Sequence, residues 1–412
     1  LTGVVGLAAS AYAAGYLPRP EPGRFTAADG FWPLWLLLLA ALNGLFLARD
    51  LFNVFVALEL VGLSAVGLVF MAGGTAALTG GTRYLLAAWL GSSLYLLGVA
   101  LAYGAYDVLD MRLLAERADA RPAAVAALAL MTSGLLLKAA LFPLHFWLPR
   151  AHASAPPPAS AALSGLVVTA SFTVVVRLWS EVLAGAVTVP AGVVVGALGA
   201  AAIGWGGWLA ARQATLKLLV AYSTVSQLGY LFLIVPLAAV PLAAGAASAG
   251  GPAADGWDGG VLYALSHGIA KAALFLAAGC MVQAVRSERI ADMTGLGARL
   301  PVATFAFAIA GVTLVGLPPT GGFVAKWYLV SSSINGGEPW WAGVILGGSL
   351  VTAVYVLAVL RPALAVSRHP RRPAPVPRPM EVAALALALA GVVLGIRPVE
   401  ALELLAIGRG GP

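Results

Sequence analysis

Long, uninterrupted apolar runs dominate this chain and fix the environment in which it can fold. Twelve follow one another between polar or Pro/Gly punctuation: residues 1–17, 31–48, 51–73, 83–104, 123–146, 159–184, 190–210, 216–237, 259–285, 301–333, 341–366 and 380–407. A hydrocarbon core about 30 Å thick takes roughly 20 such residues per helix. The runs are continuous, and far longer than the alternating segments of about 10 residues that make membrane barrels. Charged residues are only 10% of the chain, against roughly 25% in a soluble domain. The sequence predicts an all-α polytopic membrane protein with about twelve transmembrane helices.

Composition also closes off whole classes of chemistry. The one cysteine, Cys280, leaves no disulfide framework and no ligand set for iron–sulfur or zinc. No cofactor and no metal are expected. The net charge of +7 is spread over connections between apolar runs rather than gathered into a basic stripe, so nucleic acid is not an expected partner. The first run starts at Leu1 without a charged leader. It is expected to be a remnant of an N-terminal helix, not a signal peptide.

Orientation follows from Lys and Arg in the connections. One side carries Arg19, Arg24, Arg83, Arg150, Arg212, Lys217, Arg286, Arg289, Arg299, Arg368, Arg371, Arg372 and Arg378. The other has Arg49, Arg112, Arg117, Arg121 and Arg409, three of them sharing a loop with Asp107, Asp110, Glu116 and Asp119. The richer side is expected to be cytoplasmic, with the chain in the cell (inner) membrane. A stiff, basic, proline-rich linker from Arg368 to Pro379 precedes the last helix.

Lysine usage singles out the chemistry. Twenty Arg but only four Lys occur: Lys138, Lys217, Lys271 and Lys326. Three of them lie inside apolar runs, in LLLKAALF, GIAKAALF and GFVAKWYL. A charge at bilayer depth costs about 2.5–3.5 kcal/mol on insertion scales and is rarely kept without a use. Lysine, unlike arginine, can give up its proton there. Lys217, close behind Arg212, is as readily explained by snorkelling to the interface. Glu59 lies nine residues beyond Asp50, roughly 13 Å along a helix at 1.5 Å per residue, and is the one acid expected deep in the bilayer.

His267 and Lys271 are four apart, on one helix face. Lys138 and His145 are seven apart and would share a face if the helix ran on, but Pro143 lies between them and frees a backbone carbonyl. A second break is expected at residues 316–322, GLPPTGG, marked by Pro318, Pro319, Gly321 and Gly322, with Lys326 just beyond. Interrupted segments in corresponding places of two halves point to a transporter built from inverted repeats.

Five strings carry a resemblance: LARDLFNVFVALELVGLSAV, LLLKAALFPLHFWLPRAHASAPPPASAALSG, ATLKLLVAYSTVSQLGYLF, SHGIAKAALFLAAG and VGLPPTGGFVAKWYL. They resemble the antiporter-like subunit family shared by Mrp-type cation/proton antiporters, respiratory complex I and membrane-bound hydrogenases. AKAALFLAAG, KWYL and the short final helix lean toward the Mrp-type D subunit. The resemblance implies a proton-translocating subunit of a multi-subunit membrane complex, with an NADH-quinone oxidoreductase M- or N-like chain, a hydrogenase-associated proton-pumping subunit or, last, a non-conducting structural subunit as alternatives. It implies neighbouring membrane subunits as partners, protons as cargo and sodium as a second candidate cargo.

The family core has fourteen helices, so the twelve runs resemble helices three to fourteen. Two inverted five-helix repeats, each with a broken helix, would occupy 31–184 and 190–366, with 1–30 a remnant and 367–412 the linker and last helix. The resemblance makes Glu59 and Lys138 a gating pair, His267 and Lys271 the centre of a proton relay, and Lys326 its terminal residue. His145, Ser164, Thr169 and Lys217 would be auxiliary. Thr169 is a departure, since many members carry a second lysine there. Water, Ser164, Thr169 and His267 would then bridge Lys138 and Lys271.

Overall fold

The structure, a computed structural model, describes residues 1–17, 26–246, 250–366 and 373–407. Arg19, Arg24, Arg368, Arg371, Arg372 and Arg409 of the charge count, and with them the first five residues of the basic linker, lie outside these residues. The described chain is helical throughout: α1 (Thr2–Tyr16), α2 (Ala27–Leu47), α3 (Leu51–Phe70), α4 (Gly74–Tyr106), α5 (Pro122–Lys138), α6 (Pro157–Val182), α7 (Val189–Ala211), α8 (Leu216–Ala243), α9 (Pro252–Val285), α10 (Pro301–Val315), α11 (Gly321–Asn335), α12 (Trp340–Leu364) and α13 (Arg378–Ile396). Nine of these are long and apolar enough to cross a membrane; α5 and α10 are shorter apolar helices.

Burial sorts the bundle into layers. The best membrane-spanning windows of α6, α8 and α9 are 94%, 83% and 83% buried, whereas that of α2 is 33% buried. Three helices therefore form the interior and the others face outward with Leu36, Trp89 and Leu350 exposed. That is the pattern of a bundle solvated by lipid, where close packing rather than hydrophobicity holds helices together. Gly165 of α6 and Gly268 of α9 show why small residues matter: a Cβ on either would strike the other's carbonyl oxygen.

Both halves repeat the same backbone events. Asp50 caps α3 and makes an antiparallel bridge to Asp110; Thr215 precedes α8 and bridges to Arg289. Each bridge is closed by two bonds, Leu51 N to Leu109 O and Met111 N to Arg49 O in one, Leu216 N to Glu288 O and Ile290 N to Ala214 O in the other. α4 and α9 both end on a non-glycine residue at φ 54°, Asp107 and Arg286. α5 and α10 both start on a proline, and both chains then break at a positive-φ residue, Ala140 (55°) and Gly316 (86°), followed three residues on by Pro143 and Pro319. A proline there cannot donate to the helix ladder.

Both runs are interrupted where the prolines led one to expect, and only the placing of Gly321 and Gly322 differs. The run 123–146 is helical only to Lys138, so Lys138 and His145 do not share a helix face. The run 301–333 divides into two helices, α10 and α11. Gly321 and Gly322 lie in the first turn of α11 rather than in the break, behind the Thr320 cap. Gly322 is required there for another reason, because a Cβ would collide with the Thr313 carbonyl of α10.

Candidate functional site

Lys138 is the last residue of α5 and is buried, 6% exposed. Its ammonium lies 3.9 Å from the Glu59 carboxylate and donates to the Leu58 carbonyl at 3.3 Å. Both acceptors sit on α3, whose start is fixed by the Asp50 cap. Beside the pair, Val61, Gly62, Tyr84, Ala88, Val167 and Ser171 enclose a cavity of about 10 Å³, room for about one water. The Glu59 side chain remains 29% exposed, so the pair is covered on the lysine side and open on the acid side. His145 is not part of it. It sits beyond the break, half-buried and stacked on Phe142 with ring centres 5.7 Å apart.

Lys271 occupies the centre, fully buried where α6, α8 and α9 meet. Its ammonium donates to the Val220 carbonyl at 2.8 Å and the Ser223 hydroxyl at 2.7 Å, both on α8. Ser164 reaches the same place by way of Thr224: their hydroxyls are 2.8 Å apart, and Thr224 donates to the Val220 carbonyl at 3.1 Å. Ser164 itself lies in a π-helical turn of α6 over Leu163–Val167, a feature common at functional sites. The Thr169 hydroxyl and both ring nitrogens of His267 are buried without a hydrogen-bond partner in the chain.

Sequence reasoning passed over His152. It is fully buried between Trp147 and Phe275, with ring centres 6.2 and 5.8 Å away, and both of its nitrogens are also unpartnered. Lys271 lies 5.8 Å from the Phe275 ring centre, and His152 is within range of its charge. Trp147 in turn donates to the Leu137 carbonyl at 2.9 Å, next to Lys138. His152 thus stands between the first break and the centre. Its position in LPRAHASAPPP, just after the broken helix, was the available signal.

Lys326 on α11 reaches back across the second break. Its ammonium donates to the Leu314 and Val315 carbonyls at 2.8 and 3.1 Å and to Ser349 of α12 at 2.9 Å. The Tyr230 ring lies 4.1 Å beneath it. Between Lys271 and Lys326 lies a polar cluster that the sequence reading also missed: Gln227 donates to Thr352 at 3.0 Å and Tyr355 at 2.8 Å, and accepts from Tyr263.

Lys217, for which both snorkelling and an auxiliary relay role were open, is buried and donates to the Ala155 carbonyl at 2.8 Å. It borders an open cavity of about 720 Å³ on the basic-loop side, together with Arg150, Gln213, Tyr222 and Glu288. On the opposite side one loop arginine is paired with an acid. Arg121 holds Asp119 through two bonds of 2.8 Å, and this pairing, helped by Tyr106, keeps the exposed Asp119 carboxyl well below the usual carboxylate range.

Residues 48–352 match the family described as NADH:quinone oxidoreductase/Mrp antiporter, TM. The chain belongs to that family. Among similar proteins, the NADH-quinone oxidoreductase subunit N of Desulforudis audaxviator is 33% identical over 414 residues, covering 96% of this chain and 79% of the relative. The D subunit of a probable K(+)/H(+) antiporter from Rhizobium meliloti is 33% identical over 336 residues, covering 74% of this chain and 59% of the relative. Of solved structures, an Mrp complex from a Dietzia species is similar with a TM-score of 0.84 and 27% identity, covering 98% of this chain and 80% of that one. A multi-pass membrane protein with other membrane subunits as neighbours is the common ground of these matches.

Proposed function

We propose that this chain is a proton-translocating subunit of a multi-subunit membrane complex of the Mrp-type cation/proton antiporter kind. The observation that carries the reading is Lys138, buried at the end of a broken helix with Glu59 3.9 Å away. A carboxylate stabilises the ammonium form, and moving it away favours release of the proton into the low-dielectric interior. The proton then passes by Ser164, Thr224, His267 and water at Thr169 to Lys271, and on to Lys326. His145 and Lys217 serve the entry side, where the open cavity at Lys217 and Glu288 gives access to water.

The repeats in this reading run over 31–184 and 190–366, with 1–30 and 367–412 outside them. The basic loops face the cytoplasm from a cell (inner) membrane, and lipid covers the apolar exterior. Sodium is a candidate second cargo of the complex. A second reading, a chain of NADH-quinone oxidoreductase, is favoured by the subunit N match over 96% of the chain. Purifying the assembled complex and identifying its other subunits by mass spectrometry separates the two. In either complex, Lys138→Ala should abolish substrate-driven proton transport in sealed vesicles while assembly persists; wild-type transport would sink the reading.

A further inference from the structure

We infer that Trp147 is the positioning residue of the first break: its indole N–H closes the end of α5, and so leaves the Lys138 ammonium free to face Glu59. The inference rests on the proposal that Lys138 exchanges a proton beside Glu59, and it names what holds that lysine in place. A helix end leaves its last carbonyls without partners, and buried ones must be satisfied from elsewhere. At α5 the Ala139 N–H donates to the Leu135 carbonyl at 2.7 Å, and the Leu141 N–H to that of Leu136 at 3.0 Å. The Leu137 carbonyl accepts twice, from the Ala140 N–H at 3.2 Å and from the Trp147 Nε1–H at 2.9 Å. Trp147 therefore supplies the closer bond to the carbonyl one residue before Lys138.

The turn needs this second donor for a backbone reason. Ala140 has φ 55°, a left-handed conformation that its Cβ makes costly and that persists only where neighbours fix it. The second break has Gly316 at φ 86° in the matching place, where no Cβ resists. Seven residues past Ala140 is Trp147; seven past Gly316 is Phe323, whose ring has no N–H. There the helix-end carbonyls of Leu314 and Val315 are taken by the Lys326 ammonium itself, at 2.8 and 3.1 Å. The first break gives that task to a neutral indole and keeps its lysine for a carboxylate.

The indole itself is held on several sides. Trp147 is fully buried, and its ring lies flat on Tyr84 of α4, with centres 4.3 Å apart and planes inclined by 6°. The His152 ring meets it edge-on at 6.2 Å. Tyr84 also lines the small cavity at Lys138, so one stack braces both the helix end and the wall of the lysine's site. An indole is a hydrogen-bond donor only, so Trp147 carries no proton and acts through the place it gives Lys138.

The test uses the assembled complex in sealed vesicles, energised by its own driving reaction, with proton transport read by a pH-sensitive dye and normalised to the amount of complex. Trp147→Phe keeps a flat ring for Tyr84 and loses the N–H. It should slow transport about tenfold, the scale of a buried acceptor losing its better donor. The deciding readout is a double-mutant cycle with Glu59→Gln. Once the counter-charge is gone, adding Trp147→Phe should cost less than about twofold more, because the geometry it protects no longer matters. A merely structural role would repeat the same loss in the Glu59→Gln background, and that result would overturn the inference. So would wild-type transport in Trp147→Phe, in a complex that Lys138→Ala inactivates. A silent Lys138→Ala would instead overturn the proposal beneath it. If Trp147→Phe does not assemble, Tyr84→Leu takes its place in the cycle: it removes the stacked ring that braces the indole and is judged by the same rule.

Discussion

Lys138 and Lys326 stand beside the same kind of backbone break yet are held by opposite means. Lys138 comes two residues before Ala140; two residues before Gly316, in the matching place, stands Leu314. Lys326 instead follows its break and folds back to donate to the Leu314 carbonyl. Lys138 has a carboxylate at 3.9 Å, whereas Lys326 is held by two carbonyls, a hydroxyl and the face of Tyr230. The C-terminal carbonyls of a helix are fixed partial charges. A carboxylate on another helix can move, or take up a proton itself. In the proposed relay, Lys138 is then the lysine whose partner can switch it, and Lys326 the one that receives within a fixed cage.

The same asymmetry runs through the repeat. Nine residues past Asp50 is Glu59, and nine past Thr215 is Thr224; fifteen before Arg286 is Lys271, and fifteen before Asp107 is Ser92. Equivalent backbone positions carry an acid or a base in one half and a hydroxyl in the other. The fold is duplicated while the chemistry is divided between the copies.

Ways to break this comparison begin with the largest effect. Alanine at Lys138 should remove at least about 100-fold of the transport rate, the scale of a lost general acid–base group, measured as initial rate of vesicle acidification. Glu59→Gln should come next, with about a 10- to 100-fold loss, because Lys138 then keeps its burial and loses its counter-charge. An unchanged rate in Glu59→Gln would erase the distinction between the two lysines. Ser349→Ala should cost less than Glu59→Gln, since removing Ser349 leaves Lys326 two carbonyl acceptors. A larger loss there would show that Lys326, too, depends on one switchable partner. The smallest effect belongs to Thr169→Val, about twofold to fivefold, because its hydroxyl bonds nothing in the chain and can only hold water.

Much of this was legible in the sequence. Apolar length gave the membrane, the prolines and glycines of LKAALFPLH and VGLPPTGG gave the breaks, and the scarcity of lysine singled out Lys138, Lys271 and Lys326. The pairing of Glu59 with Lys138 was expected only through the family resemblance, because two residues far apart in sequence meet by helix packing, which no local pattern encodes. The Gln227 cluster was hidden for the same reason: glutamine, tyrosine and threonine dispersed over α8, α9 and α12 carry no periodic signal. His152 went unread because a lone histidine just before a proline-rich stretch looks like a loop residue until Trp147 and Phe275 close over it. The exact helix end at Lys138, five residues before Pro143, was not legible, because it is set by the backbone turn at Ala140 rather than by the proline itself.

The central claim is that Lys138 gives up and takes back a proton, and Lys138→Arg tests it most directly. Arginine keeps the positive charge and can still pair with Glu59, but it does not deprotonate in a protein. In vesicles carrying fully assembled Lys138→Arg complex, proton transport should fall nearly as far as in Lys138→Ala. Transport at the wild-type rate in Lys138→Arg would mean that the charge at this position is structural and that the proton travels by another route.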